Sequence, residues 1–538
     1  MLNEERTILV CHGTGCISGS SEKIYTLLEE DLERLRGREK IRLKRTGCHG
    51  FCQQGPIVVL EPEGIFYSRV GPEDTKEIIA AALQGQVVER LLYHDPVTEK
   101  KIVSYGEIPF YSKQERIILR NCGRIDPEEI EDYVGAGGYR ALARVLKKMT
   151  PEQVIAEVKR SGLRGLGGAG FPAGRKWEAC YRAPGGEKYV ICNGDEGDPG
   201  AFQDRSVMEG DPHAVLEGMI IAGYAIGAGK GYIYVRAEYP LAVKRLQTAI
   251  DQARRQGFLG ENILGSAFSF ELEIFQGAGA FVCGESTALV SSLEGYRGLP
   301  RPLPRPRTSE AGLWNKPTLL NNVKTFASIP QIILHGADWF AGRGTEKCKG
   351  TAVFSLTGKV ANCGLIEVPM GTSLRKIIYE IGGGIPEGKA LKAVQTGGPS
   401  GGCLPAGMLD LPVDFDSLAA AGSMMGSGGM VVVDEDTCMV DLARYFLDFT
   451  QRESCGQCIP CRLGTKQMFA ILDDITKGAG RPGDIELLSE LGEMIAKSSL
   501  CGLGKTAPNP VLTTIRYFRE EYAAHINERR CPAGVCQM

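Results

Sequence analysis

The chain has 538 residues, 43% of them hydrophobic, and a formal net charge of −3. That length provides for several domains, and the near-balanced charge gives no electrostatic reason to expect nucleic acid or an anionic membrane as partner. No uninterrupted apolar run reaches the roughly 20 residues of a transmembrane helix, and the opening M-L-N-E-E-R-T has no signal-peptide pattern, so the expected location is cytoplasmic.

The 18 cysteines are many for a reducing compartment, where clustered cysteines read as metal ligands rather than disulfides. Thr7–Val10 is an apolar run ending at Cys11. C-H-G-T-G-C supplies Cys11 and Cys16, a helical segment runs from Ser21 to about Leu35, and G-C-H-G-F-C supplies Cys48 and Cys52 before a strand at Ile57–Leu60. Four thiolates in two loops separated by a β-α-β pattern suit a [2Fe–2S] cluster; a structural zinc uses the same ligand set. Turn-rich, charged residues after Val88 mark a linker.

Ile108–Leu146 reads as an entry segment with helices, and Pro151–Ser161 as a helix. Gly165–Trp177 (G-L-G-G-A-G-F-P-A-G-R-K-W) then packs glycines ahead of Arg175 and Lys176. Glycine lets backbone N–H groups approach a ligand, and the cations neutralise phosphate. Gly165, Gly167 and Gly170 fit G-x-G-x-x-G, but that dinucleotide fingerprint follows a strand, and here a helix precedes it. Tyr189–Arg205 leads from a β-branched run into N-G-D-E-G-D-P-G-A-F-Q-D-R, with Asn193, Asp195, Glu196 and Asp198. Ala214–Gly229 reads as a core helix, Lys230–Val235 as a buried strand and Tyr239–Gln256 as an amphipathic helix. Glu271–Leu289 reads as a strand entering a glycine turn, then G-E-S-T-A-L. Pro300–Thr308 is a surface loop rich in Pro and Arg.

Thr351–Asp434 shows short strands and many glycines. From Met439 the apolar period becomes helical, with further helices near Gly464–Ile475, Asp484–Ala496 and Val511–Asn527. This bundle carries S-C-G-Q-C-I-P-C-R, with Cys455, Cys458 and Cys461, and later Cys501. The C-x-x-C-x-x-C run plus one distant cysteine suits [4Fe–4S], whereas zinc sites usually match C-x-x-C with a second pair. The chain closes with His525, Cys531 and Cys536 (H-x5-C-x4-C), which suit zinc with a fourth ligand from elsewhere, such as a partner subunit. The remaining cysteines, among them Cys122, Cys180, Cys348 and Cys438, read as small buried hydrophobes.

The glycine loop, N-G-D-E-G-D-P-G-A-F-Q-D-R and G-E-S-T-A-L together resemble the flavin subunit of respiratory complex I. They are most similar to the beta subunit of multimeric NAD(P)-linked iron hydrogenases and bifurcating dehydrogenases, from about Cys11 to Cys536. The resemblance implies a multidomain α/β fold. A thioredoxin-like [2Fe–2S] ferredoxin domain would span 1–90, and a Rossmann-like FMN- and NAD(P)H-binding domain 107–345. An SLBB β-grasp insert acting as a spacer would span 350–435, a [4Fe–4S] helical bundle 438–528 and a metal-binding tail 529–538.

The resemblance also implies the site. FMN phosphate falls to Gly165, Gly167, Gly168 and Lys176, and a stacking contact on the nicotinamide-side nucleotide to Phe171. Polar and closing contacts fall to Asn193, Asp195, Glu196, Asp198, Phe281, Gly284, Glu285, Ser286, Asn321, Asn322 and Thr325. Glu196 and Glu285 would support hydride transfer on FMN, with no side chain needed as acid or base. Leu166 stands where the family has Arg, and Ser286 and Asp198 where it has Glu. The family's Lys and Phe beside the adenosine align with Leu303 and Pro306, so Arg301–Arg307 is either a 2′-phosphate receptor or a solvated basic loop or subunit contact. The activity implied is an FMN-dependent NAD(P)H dehydrogenase (diaphorase) subunit of a soluble hydrogenase, formate dehydrogenase or bifurcating transhydrogenase. The alternatives are a complex I peripheral subunit and, from another class, a redox-sensing scaffold. Implied partners are a small [2Fe–2S] thioredoxin-like subunit, a larger iron–sulfur catalytic subunit and ferredoxin.

Overall fold

A computed structural model describes residues 6–35 and 41–538; the opening Met1–Glu5, where a signal-peptide pattern would begin, lies outside the described residues. The N-terminal module is a four-stranded sheet ordered Ile41–Thr46, Arg6–Cys11, Val58–Glu61, Ile65–Tyr67, parallel in its first pair and antiparallel after it. Strand alternation divides its side chains between two cores. Ile8 and Val10 pack with Ile24 and Leu28 of the helix Ser21–Arg34. Leu9 and Cys11 face the other way and join Phe51, Phe110 and Tyr111 in the core of the main body. The rings of Phe51 and Phe110 stack at 4.0 Å. The module is therefore fixed in place through a whole sheet face.

Four parallel strands form the second sheet, ordered Thr318–Asn322, Tyr189–Gly194, Lys230–Arg236, Glu271–Gly277. The two central strands, Tyr189–Gly194 and Lys230–Arg236, are buried along nearly their whole length, as strands covered on both faces require, whereas the edge strand Glu271–Gly277 exposes Glu273 and Gln276. The chain starts in the second position, steps outward twice and returns to the far side of its first strand, so the winding direction reverses between Tyr189–Gly194 and Thr318–Asn322. The helix Pro212–Ile226 is buried along nearly its whole length, as its apolar composition predicts.

A mixed five-stranded sheet follows, ordered Gly364–Pro369, Thr351–Gly358, Gly429–Asp434, Leu391–Thr396, Gly402–Pro405. It shares one continuous core with the nucleotide domain. Glu367, buried within it, accepts hydrogen bonds from the N–H groups of Ile117, Ile118 and Leu119 at 2.9–3.0 Å. The last unit packs helices Met439–Arg452, Thr465–Thr476, Asp484–Ser498 and Asn509–Ala523 around Val440, Leu447, Leu472, Leu488 and Val511. Two π-turns interrupt it, Pro460–Gly464 and Ala524–Glu528. One holds Cys461 and the other His525, and such turns concentrate at functional sites. No helix among the described residues is long and apolar enough to cross a membrane.

Candidate active site and metal centres

In open parallel sheets, ligands bind outside the carboxyl ends of the strands where the winding reverses. Here those ends carry Asn193 and Gly194 on one strand and Asn321 and Asn322 on the next. The glycine loop lies directly over them. Leu166 N donates to Thr325 Oγ1 at 3.0 Å, and a Cβ on Gly167 would press to 2.9 Å on the Asn322 Cβ. Gly168 and Gly170 have φ of +117° and +63°, in the left-handed region where a side chain is strained. The helix Pro151–Arg160 precedes the loop and Ala173–Arg182 follows it, so the phosphate-ready N–H groups come from a helix-loop-helix rather than a strand turn. Lys176 sits in that second helix with Nζ donating to the Leu320 carbonyl at 2.8 Å. Burial pulls its pKa down to about 8. Phe171 projects from the loop, 42% exposed. Leu166, in the family's Arg position, is buried.

The acidic loop closes the other side. Asn193 ties two loops together, Nδ2 donating to Gly284 O at 3.0 Å and Oδ1 accepting from Asp195 N at 3.0 Å. Glu196 accepts from the N–H groups of Asp204 and Arg205, each at 3.0 Å, at the start of the helix Gln203–Gly210. Burial, then the Asp204 charge, pushes its pKa up to about 7. Asp195 pairs with Arg236 at 3.1 Å, and burial still raises it to about 7. Its Oδ2 is buried with no hydrogen-bond partner among the described residues, an acceptor suited to a ligand N–H or O–H. Beneath lies a buried ion pair, Lys324 Nζ to Asp204 Oδ1 at 2.7 Å, with Asn322 Nδ2 on the other carboxylate oxygen at 2.5 Å.

Glu285 is engaged differently from a free pocket carboxylate. It caps the helix Ser286–Leu293, Oε2 accepting from Thr287 N at 2.9 Å and Ala288 N at 3.0 Å, and its Oε1 pairs with Arg305 at 3.0 Å. Arg301 pairs with Glu294 at 3.2 Å. Two arginines of the basic loop are thus folded onto the protein, and Arg307 remains exposed.

Cys455, Cys458, Cys461 and Cys501 line one pocket with Val282 and Pro300 of the nucleotide domain. Phe281 N donates to Glu453 Oε2 at 3.0 Å, and its ring meets Phe449 edge-on at 5.2 Å. The bundle therefore docks its cysteines against the nucleotide domain. Cys11, Cys16, Cys48 and Cys52 also converge, with Cys48 and Cys52 sulfurs 3.9 Å apart. Thr14, between Cys11 and Cys16, donates from N at 3.0 Å and Oγ1 at 2.5 Å to Glu209. Glu196 and Glu209 thus hold opposite ends of one helix, Gln203–Gly210, about 12 Å long at 1.5 Å per residue. A Cβ on Gly47 would overlap the Cα of Gly210, which makes glycine obligatory at this contact.

At the end of the chain the structure corrects one expectation and completes another. Cys438 is not an isolated buried hydrophobe. With His525, Cys531 and Cys536 it forms a set whose ligand atoms all lie within 4.8 Å of one another, so the fourth member comes from this chain rather than a partner. Cys438 Sγ lies 3.5 Å from His525 Nε2 and 3.7 Å from Cys536 Sγ, which is itself 3.5 Å from His525 Nε2. Tetrahedral zinc, with bonds of about 2.3 Å to sulfur and about 2.0 Å to nitrogen, requires edges of roughly 3.8 and 3.5 Å. His525 Nδ1 lies 2.7 Å from the Glu521 carbonyl, which fixes the tautomer that leaves Nε2 free for metal. Partial burial opposes the Cys531 thiolate, but the N–H groups of Cys536 and Val535 converge on it and bring its pKa to about 6.

A glycine loop over the reversal point of a parallel sheet, in a domain that two four-cysteine sets contact, is the arrangement of a flavin-type redox protein that passes single electrons to iron–sulfur clusters. Residues 158–331 match the Nuo51 FMN-binding domain, 441–525 the NADH-ubiquinone oxidoreductase-F iron–sulfur binding region, 3–83 the thioredoxin-like [2Fe–2S] ferredoxin and 353–404 the SLBB domain. The chain is 60% identical over 424 residues to NADP-reducing hydrogenase subunit HndC of Solidesulfovibrio fructosivorans, covering 79% of this chain and 86% of that one. It is 46% identical over 418 residues to an F-type subunit of NADH-quinone oxidoreductase from Rhizobium meliloti, covering 78% and 99%. A crystal structure of an air-oxidised NAD+-reducing [NiFe]-hydrogenase superposes with a TM-score of 0.67 at 29% identity, over 98% of this chain and 86% of that one. The chain belongs to this family of FMN-binding oxidoreductase subunits, with an FMN-binding domain, the iron–sulfur binding region and, in addition, a thioredoxin-like [2Fe–2S] region. Its relatives are subunits of multisubunit hydrogenases and complex I type enzymes.

Proposed function

We propose that the chain exchanges hydride with NAD(P)H at the 165–176 loop and passes electrons singly to two iron–sulfur centres, as the NAD(P)H-oxidising subunit of a soluble hydrogenase-type complex. When bound, FMN supplies the conversion between a two-electron hydride and single electrons. Gly165, Gly167, Gly168 and Lys176 would hold its phosphate, and Asp195 Oδ2 and Glu196 would face its polar groups. Asn193, Asn322 and Thr325 lock the loops around them. Cys455, Cys458, Cys461 and Cys501 would ligate [4Fe–4S], and Cys11, Cys16, Cys48 and Cys52 would ligate [2Fe–2S].

The observation that carries this reading is placement. Both cysteine sets contact the nucleotide domain, one through Val282 and Pro300 and the other through Thr14 against the helix Gln203–Gly210. Ile459 and Leu463, 63% and 55% exposed beside Cys458 and Cys461, offer an apolar landing for a larger iron–sulfur partner. A small [2Fe–2S] thioredoxin-like subunit and ferredoxin are the other expected partners. The Cys438/His525/Cys531/Cys536 set would hold zinc and pin the end of the chain to the bundle. Copurification of the complex from its native host tests the assignment. A hydrogenase, formate dehydrogenase or ferredoxin-linked partner supports it, and isolation as a free chain with no redox partner contradicts it.

A further inference from the structure

A spacer role is the expectation for the SLBB domain, yet three of its segments close on the nucleotide pocket. Gly426 pairs with Gly168 as an antiparallel bridge. Phe415 packs on Gly170, where a Cβ would approach its ring to 2.6 Å, and the Arg164 guanidinium lies over the same ring at 4.6 Å while pairing with Asp416 at 3.1 Å. Gly398 lies against Asp198 so closely that a Cβ there would come within 2.7 Å of the carboxylate. Ser427 Oγ donates to Asp198 Oδ2 at 2.6 Å, the length of a charge-assisted bond.

We propose that the SLBB domain forms one wall of the flavin pocket and that Ser427 is a positioning residue for hydride exchange, acting by holding the Asp198 carboxylate. The inference rests on the assignment of Asp198 to the cofactor site. Geometry supports it independently: Gly168 bridges Gly426 backbone to backbone, Gly398 lies against the Asp198 carboxylate, and the Ser427 hydroxyl next to Gly426 donates to that carboxylate. The other charges acting on Asp198 are Lys324 and Asp204, which pair with each other. Burial raises the Asp198 carboxyl to about 6, and the Ser427 bond lowers it. Removing the hydroxyl therefore raises it further, and the acid form persists to higher pH.

The test uses the full chain reconstituted with FMN, comparing Ser427→Ala, Ser427→Thr and Asp198→Asn. The readouts are the FMN dissociation constant, from flavin fluorescence quenching, and the pH dependence of kcat/KM for NAD(P)H with a viologen acceptor. Ser427→Ala should move the acid limb up by about one pH unit, as expected for loss of one hydrogen bond to a carboxylate, and weaken FMN roughly tenfold. Ser427→Thr, which keeps the hydroxyl, should restore both, and Asp198→Asn should erase the limb. An unchanged limb and FMN affinity in Ser427→Ala, with Asp198→Asn altered, overturns the inference. No effect of Asp198→Asn on either readout instead overturns the site assignment beneath it.

Discussion

Lys176 gives the sharpest quantitative prediction. Burial lowers its pKa from 10.5 to about 8, and its ammonium donates to a backbone carbonyl, Leu320 O. The folded-state pKa lies below the unfolded one, so between pH 8 and about 10.5 the unfolded chain binds more protons and the cofactor-free protein gains stability as pH rises. Cofactor affinity runs the other way. A phosphate dianion beside Lys176 favours the ammonium, so binding FMN takes up a proton wherever the free pocket has lost one. FMN affinity should be flat below about pH 8 and fall about tenfold per unit above it. At 1.36 kcal/mol per unit, the full window amounts to about 3.4 kcal/mol, or roughly 300-fold. The assay is fluorescence titration of flavin-depleted protein from pH 7 to about 9.5, a range in which the phosphate, with its second pKa near about 6, stays dianionic. Riboflavin, without the phosphate, should show no slope, and Lys176→Arg, whose cation does not titrate here, should flatten it. Equal slopes for FMN and riboflavin, or FMN binding that stays flat to pH 9.5, would refute the placement of the phosphate at Lys176.

Three further outcomes follow from other contacts. Cys438→Ser should lose zinc that the intact complex holds at about one per chain, because thiolates supply most of the affinity; zinc retained at the same level would remove Cys438 from the site. Lys324→Met should lower the opening free energy of the helix Val323–His335, read by hydrogen exchange, by about 3–5 kcal/mol, because it leaves Asp204 as an unpaired buried charge; adding Asp204→Leu should recover much of that loss. Glu209→Ala should increase exchange in the helix Thr14–Ser18 by about 2 kcal/mol, the scale of hydrogen bonds to a carboxylate. Unchanged exchange there would mean that Thr14 does not anchor the module.

Much of this is legible because its signals are local. The C-x-x-C-x-x-C run, the paired cysteine loops and the glycine loop with a helix before it occupy short stretches and constrain chemistry by spacing alone. The glycine-loop geometry also follows from sequence, since a helix at Pro151–Arg160 rules out the strand turn of an ordinary dinucleotide fold. What stays hidden depends on distant segments meeting. Cys438 lies 87 positions before His525, and its place as the cap of the helix Met439–Arg452 leaves no motif. Ser427 sits in M-M-G-S-G-G, where the glycines announce a loop but not the surface it closes on. The role of Glu285 as a helix cap is not legible, because Glu is not among the usual N-cap residues, yet its carboxylate is spent on helix N–H groups. The basic loop reads as solvated because charge runs usually are, yet Arg301 and Arg305 find Glu294 and Glu285 across the chain.

One flavin site on this chain feeds two iron–sulfur centres. The most direct test is reduction of the purified chain by NADH or NADPH, followed by flavin, iron and sulfide analysis and low-temperature electron paramagnetic resonance on the same sample. One FMN, about six iron and about six sulfide per chain are expected, with the flavin bleached and both cluster types accepting electrons. A preparation with full FMN but only about four iron, in which no [2Fe–2S] signal is seen under any reductant, would contradict it.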